Sequence, residues 1–130
     1  MRIPIRWGDM DAMGHVNNAV YFRYFESVRI EYLHLLAGPP DPRGEGFVVV
    51  NAFCNFLRQL RYPGDIAATL SIGQVGRTSF ETFVTLEREG EPGVPVATGG
   101  ATTVWVDYVR ERSVDLPARI RMALDPRVNG

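Results

Sequence analysis

The sequence predicts an α+β domain in which one long central helix is wrapped by an antiparallel sheet of about five strands. Three observations lead there. The chain has 130 residues, a length that one hydrophobic core serves, so residues 1–130 are read as a single domain. Near the N-terminus a long run carries apolar side chains at three- and four-residue spacing. Everything after it switches to strand-length runs separated by turns rich in glycine and proline.

Arg2 to Trp7 reads as a short first strand and leads into a polar loop, GDMDAMGHVNN, whose Asp, Gly and Asn residues favour turns and helix caps. From Ala19 to about Leu36, the side chains of Val20, Tyr21, Tyr24, Phe25, Val28, Tyr32, Leu35 and Leu36 align on one helical face. Arg23, Glu26, Ile30 and His34 take the opposite face, and GPPDPRGEG stops the helix. Strands follow over Gly46–Arg61, around Ile66–Ile72, over Thr78–Arg88 and over Val94–Tyr108, joined at YPGD, GQVGR and EGEPG. The second of these alternates strictly, Ile66, Ala68, Leu70 and Ile72 against Ala67, Thr69, Ser71 and Gly73, as a half-buried strand does. Gly99 and Gly100 inside the last strand read as a bulge, ahead of the alternative that a ligand or second backbone comes close there. LPARIRMAL, with Pro117 at its start, reads as a short amphipathic cap. One helix covers only one face of such a sheet, so the other face or the edge is expected to meet a second copy.

Composition narrows the function. Fifteen acidic and fourteen basic residues leave a formal charge of −1, so there is no field to gather nucleic acid or an anionic membrane. All fourteen basic residues are arginines, which excludes Schiff-base, pyridoxal-phosphate and P-loop lysine chemistry. One cysteine, Cys54, cannot make an internal disulfide, no apolar run is long enough to span a membrane, and MRIPIRWGDMD lacks a signal-peptide core. A cytoplasmic protein is expected. Neither zinc spacing nor a GxSxG motif is present, so no metal or bound cofactor is invoked.

The densest reactive group, Asp9, Asp11, His15, Asn17 and Asn18, sits directly ahead of the long helix. A helix N-terminus presents unpaired N–H groups and a positive dipole end, suited to a carbonyl oxygen that gains charge. A carboxylate upstream can then activate water or attack directly, and Asp11 is the candidate. Asp9 and Asp11 point in opposite directions if the loop is extended, so one of them supports the loop. The plainer alternative is that Asn17 or Asn18 caps the helix, Gly14 supplies a positive φ and His15 packs in the loop.

The stretch RWGDMDAMGHVNNAVYFRYFESVRIEYL closely resembles the first strand, active loop and central helix of hotdog-fold acyl-CoA thioesterases of the 4-hydroxybenzoyl-CoA type. The resemblance continues through FLRQLRYPGD, VGRTSFE and VDLPARIRMAL, nearly the whole chain. It implies that the catalytic carboxylate falls on Asp11 and the helix-start amide that polarises the thioester carbonyl on Asn18. It also implies an acyl-CoA substrate and a homodimer or homotetramer with the active site between subunits, where Thr78 and Ser79 would form the partner-side wall. The Gly-His-Val-Asn-Asn loop is closer to the fatty acyl-CoA members than to the aryl-specific ones. His15 and Asn17 would shape the loop, and Tyr21 would line an acyl pocket or pack in the core. Arg58, Arg61, Arg77 and Arg88 flank strand ends, where guanidinium groups suit the phosphates of coenzyme A.

In a separate hotdog group a helix glutamate is catalytic, which makes Glu26 the rival of Asp11; a surface ion pair with Arg29, or plain exposure beside Ile30, is its plainer role. A hydratase or dehydratase acting on acyl thioesters and a non-catalytic acyl-CoA-binding dimer are the alternative functions.

Overall fold

The computed structural model describes residues 1–125; residues 126–130 of the expected domain lie outside the described residues. Asn18–Ala37 forms one 20-residue helix, α1, and its buried row runs Tyr21, Tyr24, Phe25, Val28, Arg29 and Leu33. Six strands surround it: β1 (Arg2–Pro4), β2 (Glu45–Phe56), β3 (Asp65–Val75), β4 (Ser79–Arg88), β5 (Pro95–Asp107) and β6 (Arg112–Ser113). All pairings are antiparallel, the order is β1-β3-β4-β5-β2, and β6 adds to β5. A short helix, α2 (Ala118–Leu124), covers the far end of the core. The curled sheet around one helix is the hotdog architecture that the resemblance implies.

Two apolar clusters fill the interior. Tyr21, Phe25 and Val28 meet Leu60, Ile66 and Leu86 near the start of α1, and Leu33 meets Phe80, Trp105 and Ile120 near its end. The buried row of α1 follows four-residue steps from Tyr21 through Phe25 and Arg29 to Leu33. That row drifts around the helix as the twisted sheet does, so Leu35, expected on the buried face, is 82% exposed.

The strands differ from expectation at their ends. The first stops at Pro4, and Trp7–Asp9 forms a 3-10 turn instead. The run expected as a strand from Gly46 to Arg61 leaves the sheet after Phe56 and becomes a loop, held by Leu57 and Arg58 N–H groups on the Val96 carbonyl. β6 was not anticipated. Gly99 and Gly100 make no bulge: they pair in unbroken register with Cys54 and Phe53 of β2, whose irregularity falls between Val49 and Asn51. The two glycines are small because aromatic rings press on them. A Cβ on Gly99 would stand 2.6 Å from the Phe53 carbonyl oxygen and 2.8 Å from the Phe25 ring.

The polar loop is tied to α1 by one buried hydrogen bond. Asp9 is 7% exposed, and its Oδ2 accepts from the Tyr24 hydroxyl at 2.8 Å and from the Arg6 N–H at 2.9 Å. Burial, with the Asp9 carboxylate second, raises the Tyr24 pKa, so the phenol stays protonated and keeps donating. The Asn17 N–H in turn donates to the Asp9 carbonyl, and the Val16 N–H donates to the Leu60 carbonyl. Both ends of the loop are therefore anchored.

Tyr24→Phe is expected to lower unfolding free energy by about 1–3 kcal/mol, because a buried carboxylate oxygen loses a donor. A urea midpoint equal to wild type would show that another donor replaces it. Gly99→Ala is expected to cost about 1–3 kcal/mol through the clash with Phe25 and the β2 backbone, read in the same titration.

Candidate active site

Residues Met10 to Val16 close a small hairpin-like loop, bridged at its ends by backbone pairing of Met10 with Val16. The Asp11 N–H donates to the His15 carbonyl and the Gly14 N–H to the Asp11 carbonyl, with Gly14 at φ +78°, a region that suits glycine. Asp11 sits at the head of this turn. Its Oδ1 accepts from the Met13 N–H at 2.9 Å and the His15 N–H at 3.4 Å. Oδ2 has no hydrogen-bond partner among the described residues, and the side chain is exposed. One carboxylate oxygen is thus fixed and the other is presented. Asp9 points inward and Asp11 outward, but the segment is not extended: Asp9 ends the 3-10 turn and Asp11 begins the next turn, and it is these turns that separate the two carboxylates.

Asn17 is the cap of α1. Its Oδ1 accepts from the Ala19 N–H at 2.9 Å and its carbonyl accepts from the Val20 N–H. The Asn18 N–H, one residue inside, has no acceptor among the described residues. Capping therefore consumes the neighbouring donors and leaves Asn18's free at the positive end of the helix dipole.

Asp11, His15, Asn18 and Tyr21 line one cleft of about 460 Å3, with Phe56 and Arg58 opposite. The sequence brought the first four together. It missed Phe56, Leu57 and Gln59, which were read within a strand running to Arg61; the YPGD turn marks where the chain must reverse but not that the strand stops at Phe56. Tyr21 packs in the core and also borders the cleft. It is 2% exposed, stands edge to face with Phe56 at 5.1 Å, and donates from its hydroxyl to the Arg58 carbonyl at 3.2 Å. The His15 Nε2 lies 3.0 Å from Arg61 Nη2, and because a guanidinium only donates, that nitrogen is the acceptor. Asn17 does not line the cleft; it acts as the helix cap. Thr78 and Ser79, at the start of β4, do not line it.

A second cleft, about 510 Å3, shares Arg58 and Gln59 with the first and adds Arg61 and Arg88. Arg88 donates to the Arg61 carbonyl at 3.1 Å and to the Pro63 carbonyl, fixing the loop that carries the other two. Arg77 does not join them; it pairs with Asp115. Glu26 lies in a different cleft, beside Arg29 and Phe53. Cys54 packs against the first apolar cluster, and burial pushes its thiol up to about 11, the opposite of what a nucleophile needs. Among the described residues no group of His, Cys, Asp and Glu gathers to hold a metal, and no helix is long and apolar enough to cross a membrane.

The sequence pattern of the thioesterase-like superfamily matches residues 5–124. The solved structure of the PA2801 protein from Pseudomonas aeruginosa superposes with a TM-score of 0.90 at 33% identity, covering 96% of each chain. YsmA of Bacillus subtilis is 32% identical over 115 residues, 87% of this chain and 76% of that protein. The chloroplastic acyl-acyl carrier protein thioesterase ATL3 of Arabidopsis thaliana is 29% identical over 127 residues, 93% of this chain and 64% of ATL3. With a match along nearly its whole length and a fold shared with PA2801, the chain belongs to the thioesterase-like superfamily, hotdog-fold proteins whose general chemistry is thioester hydrolysis.

Proposed function

We propose that the protein hydrolyses acyl-coenzyme A thioesters in the Asp11 cleft, as a cytoplasmic homo-oligomer. The observation that carries this reading is the pairing, in one cleft, of an unpartnered carboxylate oxygen on Asp11 with an unpartnered N–H on Asn18. The carbonyl oxygen of the thioester accepts from the Asn18 N–H. Asp11 takes a proton from water, the hydroxide adds to the carbonyl carbon, and the tetrahedral oxyanion is held by the same N–H and the helix dipole. Collapse breaks the carbon–sulfur bond, and the thiolate leaves and takes up the proton. Direct attack by Asp11, with water resolving the anhydride, uses the same two groups.

Coenzyme A as the carrier is favoured by Arg58, Arg61 and Arg88 in the adjoining cleft, whose planar guanidinium groups suit phosphates. Self-association is favoured by β2, a 12-residue strand at the sheet edge that exposes Val49, Val50 and Phe53 at 42%, 61% and 44%. Thr78 and Ser79 then belong to the wall that one subunit offers the cleft of another.

Asp11→Asn keeps an oxygen for the Met13 and His15 N–H groups, so it is expected to fold and associate as wild type does while thiol release falls at least about a hundredfold. Turnover near wild type would remove Asp11 from the chemistry. Asn18 occupies the first helical position, where proline is well tolerated, and Asn17 has φ −61° and ψ 139°, as a residue before proline requires. Asn18→Pro therefore deletes little beyond the free N–H, and kcat should drop about 100- to 1000-fold, whereas Asn18→Ala retains most of it. Equal rates in both variants would place the oxyanion elsewhere. Cys54→Ala should release thiol at the wild-type rate; a loss beyond about tenfold would make the thiol the nucleophile.

A further inference from the structure

Arg29 lies on the same stripe of α1 as Asn18, reached by steps of four, three and four residues through Phe22 and Phe25. It is 9% exposed, and its guanidinium takes part in no hydrogen bond or ion pair among the described residues. The Nε is sealed from solvent without a partner, which leaves the terminal nitrogens as the donors that reach the surface. They reach it in a cleft of about 350 Å3 lined by Phe22, Phe25, Glu26, Arg29, Val49 and Phe53, the last two on the β2 face that favours self-association, so in the assembly proposed above this cleft lies between subunits. Burial lowers the Arg29 pKa and the nearby Glu26 carboxylate opposes that effect.

This cleft and the Asp11 cleft share no lining residue, and a row of rings in edge contact, with Phe22 and Phe56 partly exposed, lies between them. Phe56 stands edge to face with Tyr21 at 5.1 Å on one side and with Phe22 at 6.4 Å on the other, and Phe22 meets Phe25 at 6.4 Å. Tyr21 and Phe56 line the first cleft, Phe22 and Phe25 the second. At about 1.5 Å per residue, eleven residues of helix separate the Asn18 N–H from Arg29 by roughly 16 Å, the reach of a medium-length acyl chain.

We propose that Arg29 is a specificity-determining residue: the acyl chain runs along the Phe56 and Phe22 rings and ends in an oxygen, hydroxyl or carboxylate, that accepts from the Arg29 guanidinium. The inference rests on the reading of the Asp11 cleft as the thioester site. A methyl-terminated chain leaves a buried cation without an acceptor, whereas an oxygen at the end supplies one. A hydroxyl also has a proton to give to Glu26, the exposed carboxylate on the same rim.

The test compares kcat/KM for methyl-terminated, ω-hydroxy and ω-carboxy acyl-CoAs of matched length, from octanoyl to hexadecanoyl. Wild type should prefer an oxygenated end by at least about tenfold at the lengths that span the two clefts, and Arg29→Met and Arg29→Gln should bring that ratio close to one. Equal rates for all three ends at every length, or a ratio unchanged in both variants, overturns the proposal. It also fails if wild type shows no preference while Arg29→Met sediments as a monomer, since the guanidinium then serves Glu26 of a second copy. Calorimetric titration with free ω-hydroxydodecanoate and dodecanoate separates this inference from the hydrolase reading. Arg29-dependent binding of the hydroxy acid, with no thioester hydrolysed, sinks the hydrolase and keeps the proposal; hydrolysis without any preference for the end sinks the proposal alone.

Discussion

The hydrogen bond from Tyr24 to the buried Asp9 carboxylate is the constraint on which the site depends. A carboxylate removed from water is stable only with donors aimed at it, and here one comes from the helix and one from the loop's own backbone. That requirement fixes the loop against the second turn of α1. Asp9 closes the 3-10 turn facing inward, Asp11 opens the next turn facing out, and the Asn17 N–H on the Asp9 carbonyl sets where the helix begins. Tight placement of a polar loop and availability of one carboxylate oxygen are thus consequences of the same buried pair.

The cap of α1 shows how capping one helix donor leaves the donor beside it free. Asn17 does what an asparagine ahead of a helix commonly does, and the cap reading of the loop is correct as far as it goes. By taking up the donors of Ala19 and Val20 it isolates the donor of Asn18. The arginines work in a related way. Arg88 spans the carbonyls of Arg61 and Pro63, and Arg121 those of Gly76 and Arg77, so a planar fork of N–H groups holds loop backbone in place. A lysine ammonium has no such fork, and a chain without lysine has made this its usual loop brace.

Much of this was legible in the sequence because it is local. The period of the Tyr21, Tyr24, Phe25 and Val28 stripe gave α1 to within a residue at each end, and alternation from Ile66 to Ile72 identified β3. The Asp11, His15, Asn18 and Tyr21 grouping followed from a loop abutting a helix. What escaped depends on residues far apart in the chain. Gly99 is small because Phe25 and Phe53 arrive from two other elements; the glycine pair hints at a close approach, but nothing near it in sequence names what approaches. Arg29 looked like one more charge on a helix until the sheet twist carried the buried row through it. The end of β2 at Phe56 was hidden because Leu57, Arg58 and Leu60 continue an apolar and basic pattern that suits a strand as well as a loop.

β5 pairs with β4, β2 and β6, and β2 has no other neighbour in the sheet. Every residue of the Asp11 cleft precedes Leu60, yet the strand that seats that half of the molecule is among the last to be made. As the chain emerges from the ribosome, the loop and α1 are complete well before Phe47 can find Trp105. Closing so long a loop is slow and entropically costly, so the reactive half remains an unfinished, partly open assembly until synthesis is nearly over. The Asp11 cleft is therefore a late product of folding, and a nascent or truncated chain carries its side chains without the means to align them.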